Sequence, residues 1–329
     1  MHEREAIDGT SAFEVVATAC GQDVFELREP ADQRLPFVLN SPHSGRDYTP
    51  AFLAASRLDE RTIRRSEDAH VDRLLAGAVA LGVPVLAARF PRAFLDVNRE
   101  PWELDQRMFA GPLPAHANTR SIRVAGGLGT IPRVVAEGAE IYRARLPVAE
   151  AARRIEAFYR PYHERLRRLI ARTSVRFGYA VLVDCHSMPS QNVPIQNMSG
   201  QTPPGPLGAA GSGVARPDIV VGDRYGTSCA PALTRALVDA FAARGFRVTR
   251  NKPYAGGFIT EHYGRPLKGL HAVQIEVNRA LYMDEATLVP NAGFDRLRDD
   301  MTSVIESVAA LPDAGLYPVR DDAADIAAQ

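Results

Sequence analysis

The chain has 329 residues, enough to bury the core of one large α/β domain or two small ones. Lysine plus arginine equals aspartate plus glutamate at 39 each, so no global field favours nucleic acid or a membrane surface, and small, neutral or locally matched substrates are expected. Three cysteines, odd in number and widely separated, do not resemble a disulfide framework or a cysteine zinc site, no stretch approaches the ~20 apolar residues of a membrane span, and the acidic N-terminus lacks a signal-peptide core, so a reducing cytoplasm is expected.

In chain order, Phe13-Glu-Val-Val and Val24-Phe-Glu-Leu flank Cys20-Gly-Gln-Asp and predict a hairpin on a sheet edge, within an N-terminal β extension over residues 1–34. Residues 35–40 read as the first core strand. Helical spacing at Ile63, Val71, Leu74, Leu75 and Val79, closed by Gly82 and Pro84, predicts a helix over 59–81. Val83-Pro-Val-Leu-Ala-Ala predicts the next strand, and Arg92-Ala-Phe-Leu-Asp-Val-Asn-Arg99 a further one ending in Asn98 and Arg99. Residues 101–147 loosen into a long connection of the kind that covers a site. An arginine-rich amphipathic helix over 148–177 leads into Ala180-Val-Leu-Val, an unalternating run expected of a strand buried on both faces of a parallel sheet. The Gly- and Pro-rich residues 190–217 predict a lid or a plain surface loop. Strands over 218–223, 246–249 and 270–278, helices over 231–245 and 293–310, and a loosely docked acidic tail over 318–329 complete the chain. This βαβ rhythm predicts one three-layer α/β domain over residues 1–329, built on a mixed, mostly parallel twisted sheet.

Three of these strands end in side chains of the ligand or acid/base type, at the carboxyl edge of the sheet where open α/β folds bind ligands. They are Ser41-Pro-His-Ser-Gly45, Asp184-Cys-His-Ser187 and Gln274-Ile-Glu-Val-Asn278. Catalytic zinc sites use three protein ligands, commonly neutral histidine nitrogens and carboxylate oxygens, and leave one position open. His43 and His186 follow buried strands and are hemmed by small residues that leave room for an ion, and Asp184 stands where it can orient His186. A His-x-x-Glu spacing would need a carboxylate at position 46, which is Arg46. The third ligand is therefore sought among Glu67, Asp68 and His70, with Asp68 favoured over its alternative role as a helix-dipole partner.

Glu276 lies among Val273, Ile275 and Val277, where an unpartnered carboxylate is costly. Alternation puts Gln274, Glu276 and Asn278 on one face, which reads as a site with Glu276 as general acid/base, or else as a salt bridge to Arg279 or another arginine. Asn98 and Arg99 form a candidate clamp for a substrate carboxylate, because a planar guanidinium grips carboxylates in a bidentate way. Arg279 and Arg224 are further candidates, the alternative for each arginine being a solvated charge. Gly256 and Gly257, in the run Tyr254 to Thr260, would let backbone approach a ligand closely. His2, His116, His163 and His271 read as structural and His262 as a weak substrate-side candidate. Cys185 must face away from its neighbour His186 and reads as a small core residue.

Taken together, Ser41-Pro-His-Ser-Gly45, Asp68-Ala-His-Val-Asp72, Leu95-Asp-Val-Asn-Arg99, Val183-Asp-Cys-His-Ser187, Gly256-Gly-Phe-Ile-Thr-Glu-His-Tyr-Gly264 and Ala272-Val-Gln-Ile-Glu-Val-Asn-Arg279, with Leu281-Tyr-Met-Asp284 after them, resemble the N-formylglutamate amidohydrolase family of the zinc-carboxypeptidase-like fold. The resemblance spans residues 35 to 285. It implies a zinc-dependent hydrolase that splits N-formyl-L-glutamate into formate and glutamate in a route of histidine degradation. It further implies His43, Asp68 and His186 as metal ligands, Asn98 and Arg99 as the carboxylate clamp and Glu276 as the base; the displaced acidic ligand leaves Asp68 open against Glu67 and His70. Rival readings are a deacylase or carboxypeptidase acting on another N-acyl amino acid, and a metal-free protein that binds an acidic metabolite. An oligomer is compatible with all of them.

Overall fold

The apolar runs expected to be buried strands pair, in the computed structural model, into one nine-stranded sheet. The structure describes residues 2–7, 11–18, 21–135, 138–190, 216–310 and 315–318. The sheet strands are β1 (His2–Ile7), β2 (Ser11–Ala17), β3 (Asp23–Pro30), β4 (Phe37–Ser41), β5 (Val85–Ala88), β6 (Ala180–Met188), β7 (Ile219–Gly222), β8 (Val248–Arg250) and β9 (Leu270–Asn278). Their spatial order is β1-β2-β3-β5-β4-β6-β9-β7-β8. The central strands β5, β4, β6 and β9 run parallel, the N-terminal hairpin adds antiparallel strands at one edge, and β7 pairs antiparallel to β9 at the other. The predicted β2–β3 hairpin therefore forms where expected, with β1 as an additional outer strand.

Helices α1 (Arg160–Phe177), α2 (Pro231–Ala242), α3 (Phe258–Tyr263) and α4 (Phe294–Ala309) supply the layers that matter for the site. Side chains alternate along a strand, and the two faces of β6 separate accordingly. Val181, Val183 and Cys185 enter a core shared with Leu233, Leu237 and Phe241 of α2 and Leu297, Met301 and Val304 of α4. Ala180 and Leu182 enter the opposite core with Leu166, Leu169 and Ile170 of α1. The three-layer α/β fold is thus built on both faces of β6, and Cys185 is the buried core thiol its position predicts.

Two predicted elements come out differently. The helix expected over 59–81 is broken into short turns at Glu60–Ile63, Arg64–Ser66, Val71–Leu74 and Ala76–Val79. Its apolar spacing is real, since Ile63, Leu74 and Leu75 are fully buried, but the backbone is extended at Glu67 and left-handed at His70 (φ 64°). The Asp68 N–H consequently donates to the His43 carbonyl rather than to a helical partner, which ties this segment to the β4 exit. Residues 92–99 are also not a strand. The carbonyl of Pro91 accepts from Phe94 and Leu95, and Asp96 turns the chain by accepting the Asn98 N–H on its own side chain at 2.8 Å.

The predicted helix over 148–177 is continuous, with a π-helical turn at Ile155–Tyr159 ahead of α1. The long connection after residue 100 braces the 92–99 turn, with Thr130 and Leu128 carbonyls accepting from Asp96 N–H and Arg99 Nε. Residues 191–215 of the predicted lid, and the tail after residue 318, lie outside the described residues. Among the described residues no helix is long and apolar enough to cross a membrane.

The opposed faces of α1 give a check on this packing. Leu166 is fully buried and Val175 is 89% exposed, so Leu166→Ala is expected to cost about 2–5 kcal/mol and Val175→Ala less than about 0.5 kcal/mol, as read from urea unfolding midpoints.

Candidate active site

Where β4, β6 and β9 reach their carboxyl ends, the α1-side face of the sheet changes from apolar to polar. On β6, Leu182 gives way to Asp184 and His186; on β9, Ala272 gives way to Gln274, Glu276 and Asn278; on β4, Val38 gives way to Asn40. All six polar groups are buried. The parallel register sets Glu276 directly opposite His186. The sheet thus fixes the spacing between a candidate base and a candidate ligand by its own hydrogen-bond ladder.

His43 enters from the loop after β4, and Asp68 from the broken segment pinned to the His43 carbonyl. The Oδ2 atom of Asp68 lies 3.3 Å from His43 Nδ1 and 3.0 Å from His186 Nδ1, and the two rings sit 4.8 Å apart. One donor atom from each residue lies within 4.8 Å of the others. The far ring nitrogens are held by carboxylates: His43 Nε2 stands 2.7 Å from Asp96 Oδ1, and His186 Nε2 stands 2.9 Å from Asp184 Oδ2. A carboxylate accepts only, so each Nε2 carries a proton; with a cation between the rings and Asp68, each Nδ1 would turn its lone pair to that cation.

Three buried electron pairs converging on one point repel unless something positive lies between them. His43 Nδ1 is buried without a hydrogen-bond partner. The His186 ring shows the same demand. Burial alone would lower its pKa, yet Asp184 and Asp68 carry it well above the usual histidine range, so that without a cation a proton would take the gap. The Asp68 carboxyl is held well below its usual range, against burial, by its bonds to His186 and His43. The donor set of two imidazole nitrogens and one carboxylate oxygen fits a divalent cation such as zinc.

Glu276 accepts a 2.7 Å bond from Gln274 Nε2 on Oε1. Burial, only partly offset by the His186 charge, raises its carboxyl to about 7. It forms no salt bridge among the described residues, so the alternative of an ion pair with Arg279 is not what the structure contains. The Gln274 amide is itself oriented, since its Oε1 accepts the Gly257 N–H at 2.9 Å.

The arginines are distributed differently from expectation. Arg99 is 3% exposed and its guanidinium donates to the carbonyls of Leu128 and Asn98 while facing Asp96 at 3.5 Å. Arg279 donates to Ser187 Oγ, to the carbonyls of Glu67 and Arg65, and to Asp68 Oδ1 at 3.2 Å, so it anchors the candidate ligand. Arg224 pairs with Glu261 at 2.7 Å at the outer edge. Arg92, which sequence reasoning passed over, donates through Nε to Asp96 Oδ2 at 3.1 Å and leaves both Nη groups without a hydrogen bond among the described residues. Its side chain is 24% exposed, and Asp96, Asp68 and Glu276 lie close enough to hold its positive charge in place against burial. The missed signal was Asp96: an acid two residues ahead of Asn98 in a run that folds as a turn.

Asn98 accepts the Ile259 N–H on Oδ1, and its amide nitrogen lies 3.3 Å from His186 Nε2, so it borders the imidazole. The close approach expected of the glycine pair is made to the protein itself. A Cβ on Gly257 would meet the Asn98 amide at 2.5 Å, and one on Gly256 would meet Thr260 Oγ1 at 2.4 Å. Thr260 is fully buried and donates to the Gly257 carbonyl. The rival ligands are engaged elsewhere: Glu67 pairs with Arg64 at 2.9 Å, and His70 bonds to the Leu288 carbonyl and faces Arg73. His163, His271 and His262 have partners away from the cluster, respectively Val97 O and Tyr263, Leu316 O, and the Phe258 ring.

Comparison with known proteins places the chain in a family. The model of the N-formylglutamate amidohydrolase family matches residues 35–283. N-formylglutamate deformylase of Pseudomonas aeruginosa is 34% identical over 255 residues, covering 77% of this chain and 84% of that protein. The protein of the same description from Pseudomonas putida is 33% identical over 255 residues, covering 77% and 83%. A crystal structure of N-formylglutamate amidohydrolase from Ralstonia eutropha JMP134 superposes with a TM-score of 0.77 at 34% identity, over 89% of this chain and 98% of that one. A gene product of Agrobacterium tumefaciens, at 19% identity and a TM-score of 0.54 over 84% and 92%, shares the fold. A family match over most of the chain, with relatives above 30% identity over 77% of it, leaves one conclusion: the chain belongs to the N-formylglutamate amidohydrolase family.

Proposed function

We propose that this protein hydrolyses N-formyl-L-glutamate to formate and L-glutamate, using a zinc ion held by His43, Asp68 and His186. The observation that carries the reading is the convergence of two imidazole Nδ1 atoms on Asp68 Oδ2, with both far nitrogens on carboxylates. The activity for which the Pseudomonas relatives are named supplies the substrate. A divalent ion in such a site acidifies a water and draws charge from the scissile carbonyl. Buried free thiols at Cys185 and Cys229 suit a reducing cytoplasm.

The rest of the chemistry falls to the chain. Glu276, with Oε1 steadied by Gln274, takes a proton from the attacking water as its oxygen bonds to the formyl carbon. It then gives that proton to the departing amine nitrogen as the C–N bond breaks. A carboxyl raised towards neutrality by burial suits a group that must do both. Arg92 is assigned to the substrate α-carboxylate, because its two Nη groups are unclaimed and a bidentate pair needs both. Arg224 at the outer edge is assigned to the distal carboxylate, and Asn98 to bordering the substrate beside His186.

Glu276→Gln is expected to lower kcat by about 10²–10⁴-fold while zinc content stays stoichiometric; a variant with unchanged kcat removes Glu276 from the mechanism. Asp68→Ala is expected to purify without stoichiometric zinc, measured by elemental analysis, and wild-type formate release is expected to stop on chelation and return on zinc addition. Arg92→Met is expected to lower kcat/KM for N-formylglutamate by about 10–100-fold yet change little on N-formyl-4-aminobutyrate, which lacks the α-carboxylate. Formate release compared with acetate and succinate release from the matching N-acyl glutamates separates a deformylase from a broader deacylase.

A further inference from the structure

Behind His186 runs a line of buried polar groups that leaves the site and ends on α1, the helix packed on the same face of the sheet. Tyr162, on α1, donates from its hydroxyl to Asn40 Oδ1 at 2.6 Å. Asn40, at the end of β4, donates from Nδ2 to Asp184 Oδ1 at 2.7 Å. Asp184, on β6, accepts His186 Nε2–H on its other oxygen at 2.9 Å. Tyr162, Asn40 and Asp184 are each 0% exposed, so no solvent can substitute for any of these partners.

The direction of every bond in this line follows from its far end. A phenol at neutral pH donates its proton, and burial followed by the Asp184 charge keeps the Tyr162 hydroxyl protonated. Donation from Tyr162 fixes the Asn40 amide with oxygen towards α1 and nitrogen towards Asp184. The opposite amide orientation would set an amide oxygen against a carboxylate oxygen in a buried space. With Asp184 held from one side, its second oxygen is free to accept from His186 Nε2, which leaves Nδ1 bare towards Asp68. His43 has no such line; its carboxylate partner Asp96 is held by Arg92 and by the Asn98 N–H.

We propose that Tyr162 and Asn40 are positioning residues that fix the tautomer and orientation of His186 from outside the site and thereby set the affinity of the centre for its cation. The inference rests on the reading of His186 as a metal ligand. It separates the two imidazoles: the Asp96 carboxylate behind His43 is held by the Arg92 cation and a backbone N–H, whereas the Asp184 carboxylate behind His186 is held by a neutral amide that reaches α1. Neither positioning residue touches substrate. Loss of a partner behind a ligating histidine weakens metal binding by about 10–100-fold where the partner is adjacent, and a smaller loss is expected for Tyr162, two bonds further out.

The test uses full-length protein and zinc alone. Competition with a chelating dye is expected to give about a five- to tenfold loss of zinc affinity for Asn40→Leu, one bond beyond the adjacent partner, and about a two- to fivefold loss for Tyr162→Phe. The double variant is expected to be no weaker than Asn40→Leu, because both act along one line. Thr173→Val removes an equally buried hydroxyl from the same helix, one bonded to Gln33 and to the Leu169 carbonyl, and is expected to leave zinc affinity unchanged. Wild-type protein labelled with ¹⁵N histidine should show the His186 proton on Nε2 and zinc on Nδ1, a measurement that does not depend on any variant folding. Zinc on Nε2, additive losses, or affinities within twofold of wild type in both variants overturn the proposal. Absence of zinc binding by the wild type overturns the metal reading instead.

Discussion

The structure is organised by one electrostatic demand: two imidazole nitrogens and a carboxylate oxygen are aimed at a common point inside the protein, at separations of 3.0–3.3 Å from Asp68 Oδ2. Lone pairs so arranged repel, and in a buried place no water shell spreads the charge. Each member is accordingly over-determined. Asp68 is held by Arg279 and by Ser187, and its backbone by the His43 carbonyl. The rings are held by Asp96 and Asp184. Such an arrangement persists because removing any one restraint leaves a buried polar group unpaired, at a cost of order 1–3 kcal/mol.

The sheet makes this placement possible. One face of β6 and β9 carries Val181, Val183, Cys185, Val273, Ile275 and Val277 and packs under α2 and α4. The other is apolar only as far as α1 packs on it and then becomes polar. Strand alternation delivers this change to neighbouring strands at the same level, so His186 and Glu276 stand side by side by register and need no loop to bring them together. The flexible part of the task, bringing Asp68 and Arg92 to that edge, falls to segments with broken or turning backbone. Left-handed His70 and the Asp96 side-chain turn are the local devices.

Charge distribution around the site accounts for the partners of its arginines. Asp68, Asp96, Asp184 and Glu276 are four buried carboxyl groups in one neighbourhood. A fold that buries them needs cations whose purpose is to hold acids, and Arg279 and Arg99 face Asp68 and Asp96 in that way. From sequence, a guanidinium that holds a buried acid and one with free donors look the same. Only the count of unclaimed Nη groups distinguishes Arg92 from the other two.

The sequence by itself determined the three-layer architecture, because unalternating apolar strands at 180–183 and 37–39 require cover on both faces and amphipathic runs near 160, 231 and 294 provide it. It also determined that His43, His186 and Glu276 would lie at one sheet edge, since period-2 alternation and parallel pairing permit little else. Tertiary structure alone decided the rest. That Asp68, and not Glu67 or His70, lies beside the two imidazoles depends on a helix that breaks, and it breaks because pairing Asp68 N–H to His43 across 25 residues replaces an internal helical bond. The line from Tyr162 through Asn40 to Asp184 joins residues up to 144 positions apart. Periodicity reports which face a side chain occupies, whereas the partner it meets there is set by packing between segments that are remote in the chain.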